Sequence, residues 1–190
     1  PFARQDRRAV DGDAHALKVF ANMVNSLKPE IITLVDPHSD VAAALFEPVH
    51  TLHIMPQHEV LRPYFEKRDS TKPFYLVSPD HGASKKIFKL AELVKPKQVL
   101  ECWKIRNPYN GEITDISLPK TETYTLGDEL IIVDDICDGG RTFIGLAKEL
   151  RDMWPGCEIT LLVSHGLFTH GMAGLKEQID EIWVRGTRIA

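Results

Sequence analysis

Residues 131–144 read IIVDDICDGGRTFI, and this stretch carries most of the chemistry that the chain advertises. The adjacent carboxylates of Asp134 and Asp135 are good acceptors for the vicinal hydroxyls of a sugar and can hold a hydrated magnesium ion. Asp138 follows, then Gly139 and Gly140, which let backbone N–H groups come close to an anion. A helix beginning near Arg141 would turn its positive end toward the same point, and Thr142 adds a hydroxyl donor. An acid pair followed at once by an anion loop describes a ribose that carries a phosphate. The plainer alternative is a strand ending in an acidic turn capped by Asp138, but generic turns rarely combine all these features.

Other polar residues follow apolar runs in the same manner. They are Asp36-Pro37-His38, Ser78-Pro79-Asp80-His81-Gly82 and Lys104-Ile105-Arg106. Acids, histidines and two cations are the contents of one site. Taken singly, His38 and Asp80 would more often be structural, and a Lys-x-Arg beside a strand is usually a solvated edge. Ser164-His165-Gly166 reads as a strand-end turn, because neighbours on a strand point to opposite faces and make a poor nucleophile–base pair.

Positioning these residues requires alternating strands and helices. Short apolar runs at 31–35, 74–77, 98–103, 130–134 and 159–163 have the character of strands covered on both faces. Helical periodicity appears at 12–28 (Leu17, Phe20, Ala21, Val24, Leu27), 82–94 (Ile87, Leu90, Ala91, Val94) and 141–152 (Phe143, Leu146, Ala147, Leu150). Asp11 and Asp13 are candidate N-caps of the first. This spacing predicts an α/β fold, a mostly parallel sheet flanked by helices on both faces. Ligands of such sheets sit beyond the carboxyl ends of the strands, where the polar clusters fall. Residues 106–128 are polar, with Asn107, Pro108, Asn110, Gly111 and Pro119, and read as a long excursion or hairpin.

Bulk composition narrows the setting. A chain of 190 residues with 43% hydrophobic and 26% charged content is long enough for one or two compact units. A formal charge of −4 argues against nucleic-acid binding, which usually needs a basic face. Cys102, Cys137 and Cys157 are scattered and form no CxxC pair, which favours free thiols in a reducing compartment. No apolar run approaches the roughly 18 residues of a membrane span. A cytoplasmic protein with no membrane partner is expected, and the polar opening PFARQDRR suggests a longer protein.

Several segments together resemble the ribose-phosphate pyrophosphokinases, the phosphoribosyl pyrophosphate (PRPP) synthetases of type I phosphoribosyltransferase fold. They are Phe2-Ala3-Arg4-Gln5-Asp6-Arg7, Asp36-Pro37-His38, Val77 to Gly82, Lys104-Ile105-Arg106, Asp134 to Thr142 and Ser164-His165-Gly166, in family order along nearly the whole chain. The resemblance implies a remnant of an N-terminal phosphoribosyltransferase-like domain at 1–54 and a C-terminal domain of the same kind at 55–190. It implies transfer of the β,γ-diphosphoryl group of ATP to the anomeric hydroxyl of ribose 5-phosphate, with Mg2+ as cofactor. Lys104 and Arg106 would be catalytic, and Arg4, Gln5, Asp6 and His38 would bind ATP. His38 and Asp80 would lie at the metal. Asp134, Asp135, Asp138, Gly139, Gly140, Arg141 and Thr142 would bind the ribose phosphate. A homo-oligomer built on dimers, up to a hexamer, is implied as well.

The chain departs from the family pattern twice. Where the family has DTAGT, this sequence has Asp138-Gly139-Gly140-Arg141-Thr142, losing a hydroxyl at Gly139 and placing a cation at the helix start, against the dipole. A larger acceptor such as ADP-ribose is one explanation. The loop after Arg106 (Asn107-Pro108-Tyr109-Asn110-Gly111) lacks the arginines common in the family. A phosphoribosyltransferase would explain 131–144 but not Arg4-Gln5-Asp6 or Lys104 and Arg106. A non-catalytic synthetase-like regulatory subunit should have lost some of the cations and acids that remain here.

Overall fold

Uninterrupted apolar runs form the centre of a sheet because both of their faces are buried. The computed structural model describes residues 1–46, 51–106, 113–117 and 124–190, with 81, 103–106 and 113–116 described through their backbone alone. It divides into two compact units, Pro1–Val60 and Leu61–Ala190.

In the first unit, α1 (Ala16–Ser26) and α2 (Asp40–Leu45) accompany β1 (Ile32–Val35) and β2 (Leu52–Met55). The two strands pair in parallel from Ile32↔Leu52 to Val35↔Met55. Leu17 and Ala21 bury the inner stripe of α1, but Leu27 lies beyond the helix end and is 80% exposed. The expected caps Asp11 and Asp13 are not caps. The helix starts only at Ala16, and Asp13 instead accepts a hydrogen bond from Val10 N–H at 3.1 Å. Phe2 packs on Phe20, and Phe20 on Phe46, with ring centroids 6.1 and 6.3 Å apart.

α3 (Gln57–Lys67) contains the boundary between the units. The second unit is built on β3 (Phe74–Ser78), β4 (Val99–Glu101), β7 (Glu129–Cys137), β8 (Glu158–Gly166), β9 (Glu181–Val184) and β10 (Thr187–Arg188). Their order across the sheet is β10-β9-β8-β7-β3-β4, parallel throughout except for β10. β9 and β10 are joined by Arg185 and Gly186, both at positive φ (50° and 69°), the backbone of a two-residue type I′ turn. β5 (Trp103–Arg106) and β6 (Ile113–Ser117) form a separate antiparallel ribbon. The single run expected at 98–103 is therefore two strands that break at Cys102, and the hairpin starts at Trp103.

Helices cover both faces of this sheet. α5 (Arg141–Met153) lays Phe143, Leu146, Ala147 and Leu150 on one face, in a core with Tyr75, Val77, Leu130, Ile132, Leu161 and Val163. Each such leucine contributes about 1.5–3 kcal/mol on burial. On the other face Tyr64 of α3 meets Trp183 edge-on at 5.0 Å, and Phe65 meets Phe74 at 5.8 Å. α4 (Ser84–Val94) packs on β3 and β4, following a 3-10 turn at His81–Ala83, and the short α6 (Ala173–Lys176) precedes β9. Cys102, Cys137 and Cys157 are free thiols in the interior.

Beneath the sheet lies a buried polar cluster. Glu129 accepts hydrogen bonds from Tyr64 Oη at 2.5 Å and Thr160 Oγ1 at 2.7 Å, and pairs with Arg68 at 3.1 Å. Burial, followed by the charge of Glu129, pushes the Tyr64 phenol far above its ordinary value, so it stays a donor.

Candidate active site

The sheet order itself locates a crevice. From β3 the chain steps outward to β4, then returns to the other side of β3 and steps outward again through β7, β8 and β9. The reversal falls between β3 and β7, and the carboxyl ends of strands flanking such a switch point are where ligands bind in parallel sheets. Beyond β3 stands Asp80, and along the end of β7 stand Asp134, Asp135 and Asp138.

The acids sit inside β7, not after it as the apolar run suggested. The strand continues to Cys137 because β8 offers a ladder as far as Ile136↔His165 and Cys137↔Gly166. For the same reason Ser164-His165-Gly166 is strand, not a turn. Asp134 follows Ile132 toward the α5 face, and Asp135 follows Val133 to the opposite one. There Lys86 of α4 lies 3.9 Å from Asp135 Oδ2.

The acid pair is electrostatically crowded. Burial holds the Asp134 carboxyl well above the usual carboxylate range, the charge of Asp135 raises it further, and Asp80 adds to the effect. The backbone N–H of Asp135, donating to Asp134 Oδ1 at 2.8 Å, opposes the rise. Such a cluster invites hydroxyl donors or a cation. Among the described residues no group of three or more His, Cys, Asp and Glu side chains is placed to hold a metal ion. A magnesium ion here would rely on one or two carboxylates, water and phosphate oxygens, its ordinary mode of binding.

The anion loop takes shape at the start of α5. Gly140 is the N-cap at φ 78°, and a Cβ there would also stand 3.1 Å from Leu175, so only glycine fits without strain. Gly140 O accepts from Phe143 and Ile144 N–H at 3.0 Å each. The first amides of the helix have no carbonyl one turn back and point outward from its end. Arg141 is exposed at the first helical position and Thr142 is half-buried.

Asp80 also shapes its own turn. Its Oδ1 accepts from Ala83 N–H at 3.2 Å, and its carbonyl accepts from Ser78 Oγ at 2.8 Å. A Cβ at Gly82 would stand 3.2 Å from that carboxylate, a tight contact that would make it shift. Lys104 and Arg106 lie on β5, and their side chains lie outside the described part, as do residues 107–112.

In the first unit the structure brings two of the sequence clusters together. Ser39 Oγ donates to Asp6 Oδ2 at 2.5 Å, tying the Arg4-Gln5-Asp6 segment to the loop that carries His38. Gln5 O accepts from Leu17 N–H at 3.2 Å, which fixes the segment on the start of α1. Asp36 is 2% exposed, lies at φ 40°, and accepts from Gln57 Nε2 at 3.1 Å. It shapes the loop, while Arg4, Gln5 and His38 are exposed. Sequence reasoning missed Ser39, Gln57 and Lys86; of these only Ser39, next to His38, carried a local signal.

Comparison with known proteins finds similar sequences and folds. No protein-family model matches it. It is 28% identical over 185 residues to the ribose-phosphate pyrophosphokinase of Saccharolobus solfataricus, covering 97% of this chain and 60% of that one. It is 32% identical over 169 residues to that of Sulfurisphaera tokodaii, covering 88% of this chain and 55% of the other. Phosphoribosylpyrophosphate synthetase from Mycobacterium smegmatis has the same fold, with a TM-score of 0.80 at 22% identity over 97% of this chain and 58% of that one. Adenine phosphoribosyltransferase from Thermoanaerobacter pseudethanolicus aligns at a TM-score of 0.50 and 18% identity over 68% of this chain and 77% of that one. The chain thus spans between 55% and 60% of the length of the two curated relatives named here.

Proposed function

From its similarity to ribose-phosphate pyrophosphokinases along nearly all of its length, we propose that this chain belongs to an enzyme that makes PRPP and AMP from ATP and ribose 5-phosphate. One observation carries the reading: crowded acids and a glycine-lined helix start meet at the switch point of a parallel sheet. Asp134 and Asp135 accept the ribose hydroxyls, and in doing so relieve their mutual repulsion. The amides from Asp138 to Thr142 hold the 5-phosphate at the positive end of α5.

The reaction needs the anomeric oxygen and the β-phosphorus of ATP in line. A bond forms between them as the bond to the α-phosphate oxygen breaks, and AMP leaves. Charge on the non-bridging oxygens must be neutralised, and Lys104 and Arg106 of the β5–β6 ribbon take that role. Arg4 and Gln5 contact the nucleotide, Asp6 orients them, and His38 stands at the phosphates. Mg2+, when bound, would neutralise phosphate charge, with Asp80 as its carboxylate; His38, an imidazole, would suit a phosphate or a metal-bound water.

Mixing the full-length protein with Mg–ATP and ribose 5-phosphate, and following AMP, tests this. Phosphorus NMR of the product should show a diphosphate on the anomeric carbon. ADP-ribose as acceptor is a second reading, favoured by the exposed Arg141 at the helix start, where a second phosphate would be in reach. A strong preference for ribose 5-phosphate would remove it.

Among the described residues no helix is long and apolar enough to cross a membrane. Three buried free thiols suit a reducing compartment, and on that ground we propose a cytoplasmic protein; a homo-oligomer built on dimers is proposed from the family resemblance alone.

A further inference from the structure

The loop after β8 comes back to the anion loop. Leu167 N–H donates to Cys137 O at 2.8 Å, and Thr169 Oγ1 donates to Asp138 Oδ1 at 2.6 Å. A tight turn follows, with Phe168 at φ 48°, Gly171 at φ 74°, and Gly171 N–H bonded to Phe168 O at 2.8 Å. This turn seats His170 beside Gly139. A Cβ built on Gly139 would stand 3.1 Å from His170 Nδ1 and 3.2 Å from Cε1.

Gly139, unlike Gly140, has no positive φ, so its backbone does not demand glycine. A side chain at 139 would crowd the imidazole and make the ring shift. The ring fills the volume into which residue 139 would project, at the edge of the loop whose amides face an anion. It is exposed, and the hydrophobic core has no use for it. Its two ring nitrogens give it a donor in either tautomer, and it carries a positive charge when protonated. The sequence lacks a hydroxyl at 139, and the structure puts another donor in the same place.

Resting on the reading of Asp138–Thr142 as the ribose-phosphate loop, we propose that His170 is a further acceptor-binding residue, which donates an N–H to an oxygen of the acceptor's phosphate. Glycine at 139 leaves the ring this place undisturbed.

Binding of ribose 5-phosphate to the full-length protein, followed by isothermal titration calorimetry, provides the test. His170→Ala should weaken binding about tenfold or more, the effect of losing one hydrogen bond to a charged group. His170→Gln, which keeps a donor, should recover most of the loss. Gly139→Ala, which pushes the ring aside, should weaken binding as well. His170 is exposed, so the losses from its replacement do not arise from misfolding. Thr142→Val separates the two levels of the argument. If Thr142→Val weakens binding and His170→Ala does not, the role of His170 is overturned and the loop stands. If neither variant weakens binding, the loop reading falls and takes this inference with it.

Discussion

Ser39 holds Asp6 by a 2.5 Å hydrogen bond across 33 residues of sequence, joining the two segments proposed to meet the nucleotide. Removing that hydroxyl leaves the half-buried Asp6 carboxylate short of a donor. Ser39→Ala should therefore raise KM for ATP about three- to tenfold, less than the full effect of one hydrogen bond to a charged group because Ser39 acts on the nucleotide only through Asp6, with KM for ribose 5-phosphate unchanged. Steady-state kinetics with each substrate varied in turn checks this. A rise in both constants would mean that the contact serves general stability.

Asp134 should make stability fall as pH rises. As pH climbs above the ordinary value of 3.8, the unfolded carboxyl loses its proton while the native one, held up by burial and Asp135, keeps it. The native state binds more protons, so stability declines from about pH 4 upward through the raised native range. Asp134→Asn cannot ionise and should be more stable than the parent at about pH 7, by a margin that shrinks toward about pH 4. Urea unfolding at both ends of that window measures it, and the same variant should lose ribose 5-phosphate binding. An equal difference at both ends would show that the carboxyl is not strained by its surroundings.

Replacing Lys104 by alanine should slow AMP formation about 10²–10³-fold, the usual effect of deleting one preorganised stabiliser of transition-state charge. Single-turnover assays with saturating substrates measure it. Unchanged turnover would take Lys104 out of the mechanism.

Glu129 should matter for folding and not for the reaction. Its truncation to alanine strands Arg68, itself 8% exposed, together with Tyr64 and Thr160, at an expected cost of about 3–5 kcal/mol. Glu129→Gln keeps the acceptor for Tyr64 and should lose less. Denaturant titrations rank the two, while KM values of the folded fraction should stay the same.

The sheet centre was legible because β3, β7 and β8 each hold a short apolar run, at residues 74–77, 130–133 and 161–163, where nothing competes with a buried strand. α5 was legible through Phe143, Leu146, Ala147 and Leu150. The ends of β7 and β8 were not, since ladder hydrogen bonds are made by the backbone and run on under Asp134, Asp135 and His165 regardless of side-chain polarity. β2, with its His53, and β9, with Glu181, are too short and mixed to show a period. Pro63 hides α3 in the same way. In the site, Asp80 and Asp134–Thr142 were legible from local chemistry. Lys86 and His170 were not, because their places beside Asp135 and Gly139 are set by packing between distant segments.

The three interior thiols have a practical consequence. Cys137 is held protonated by burial and by its neighbours Asp134 and Asp138, its value pushed up to about 12, and burial raises Cys157 too. A thiol in that state does not react with alkylating reagents until its surroundings open. Because Cys137 closes the strand that bears the acid pair, its modification rate is a clock for the opening of that strand, and a bound ribose phosphate should slow it.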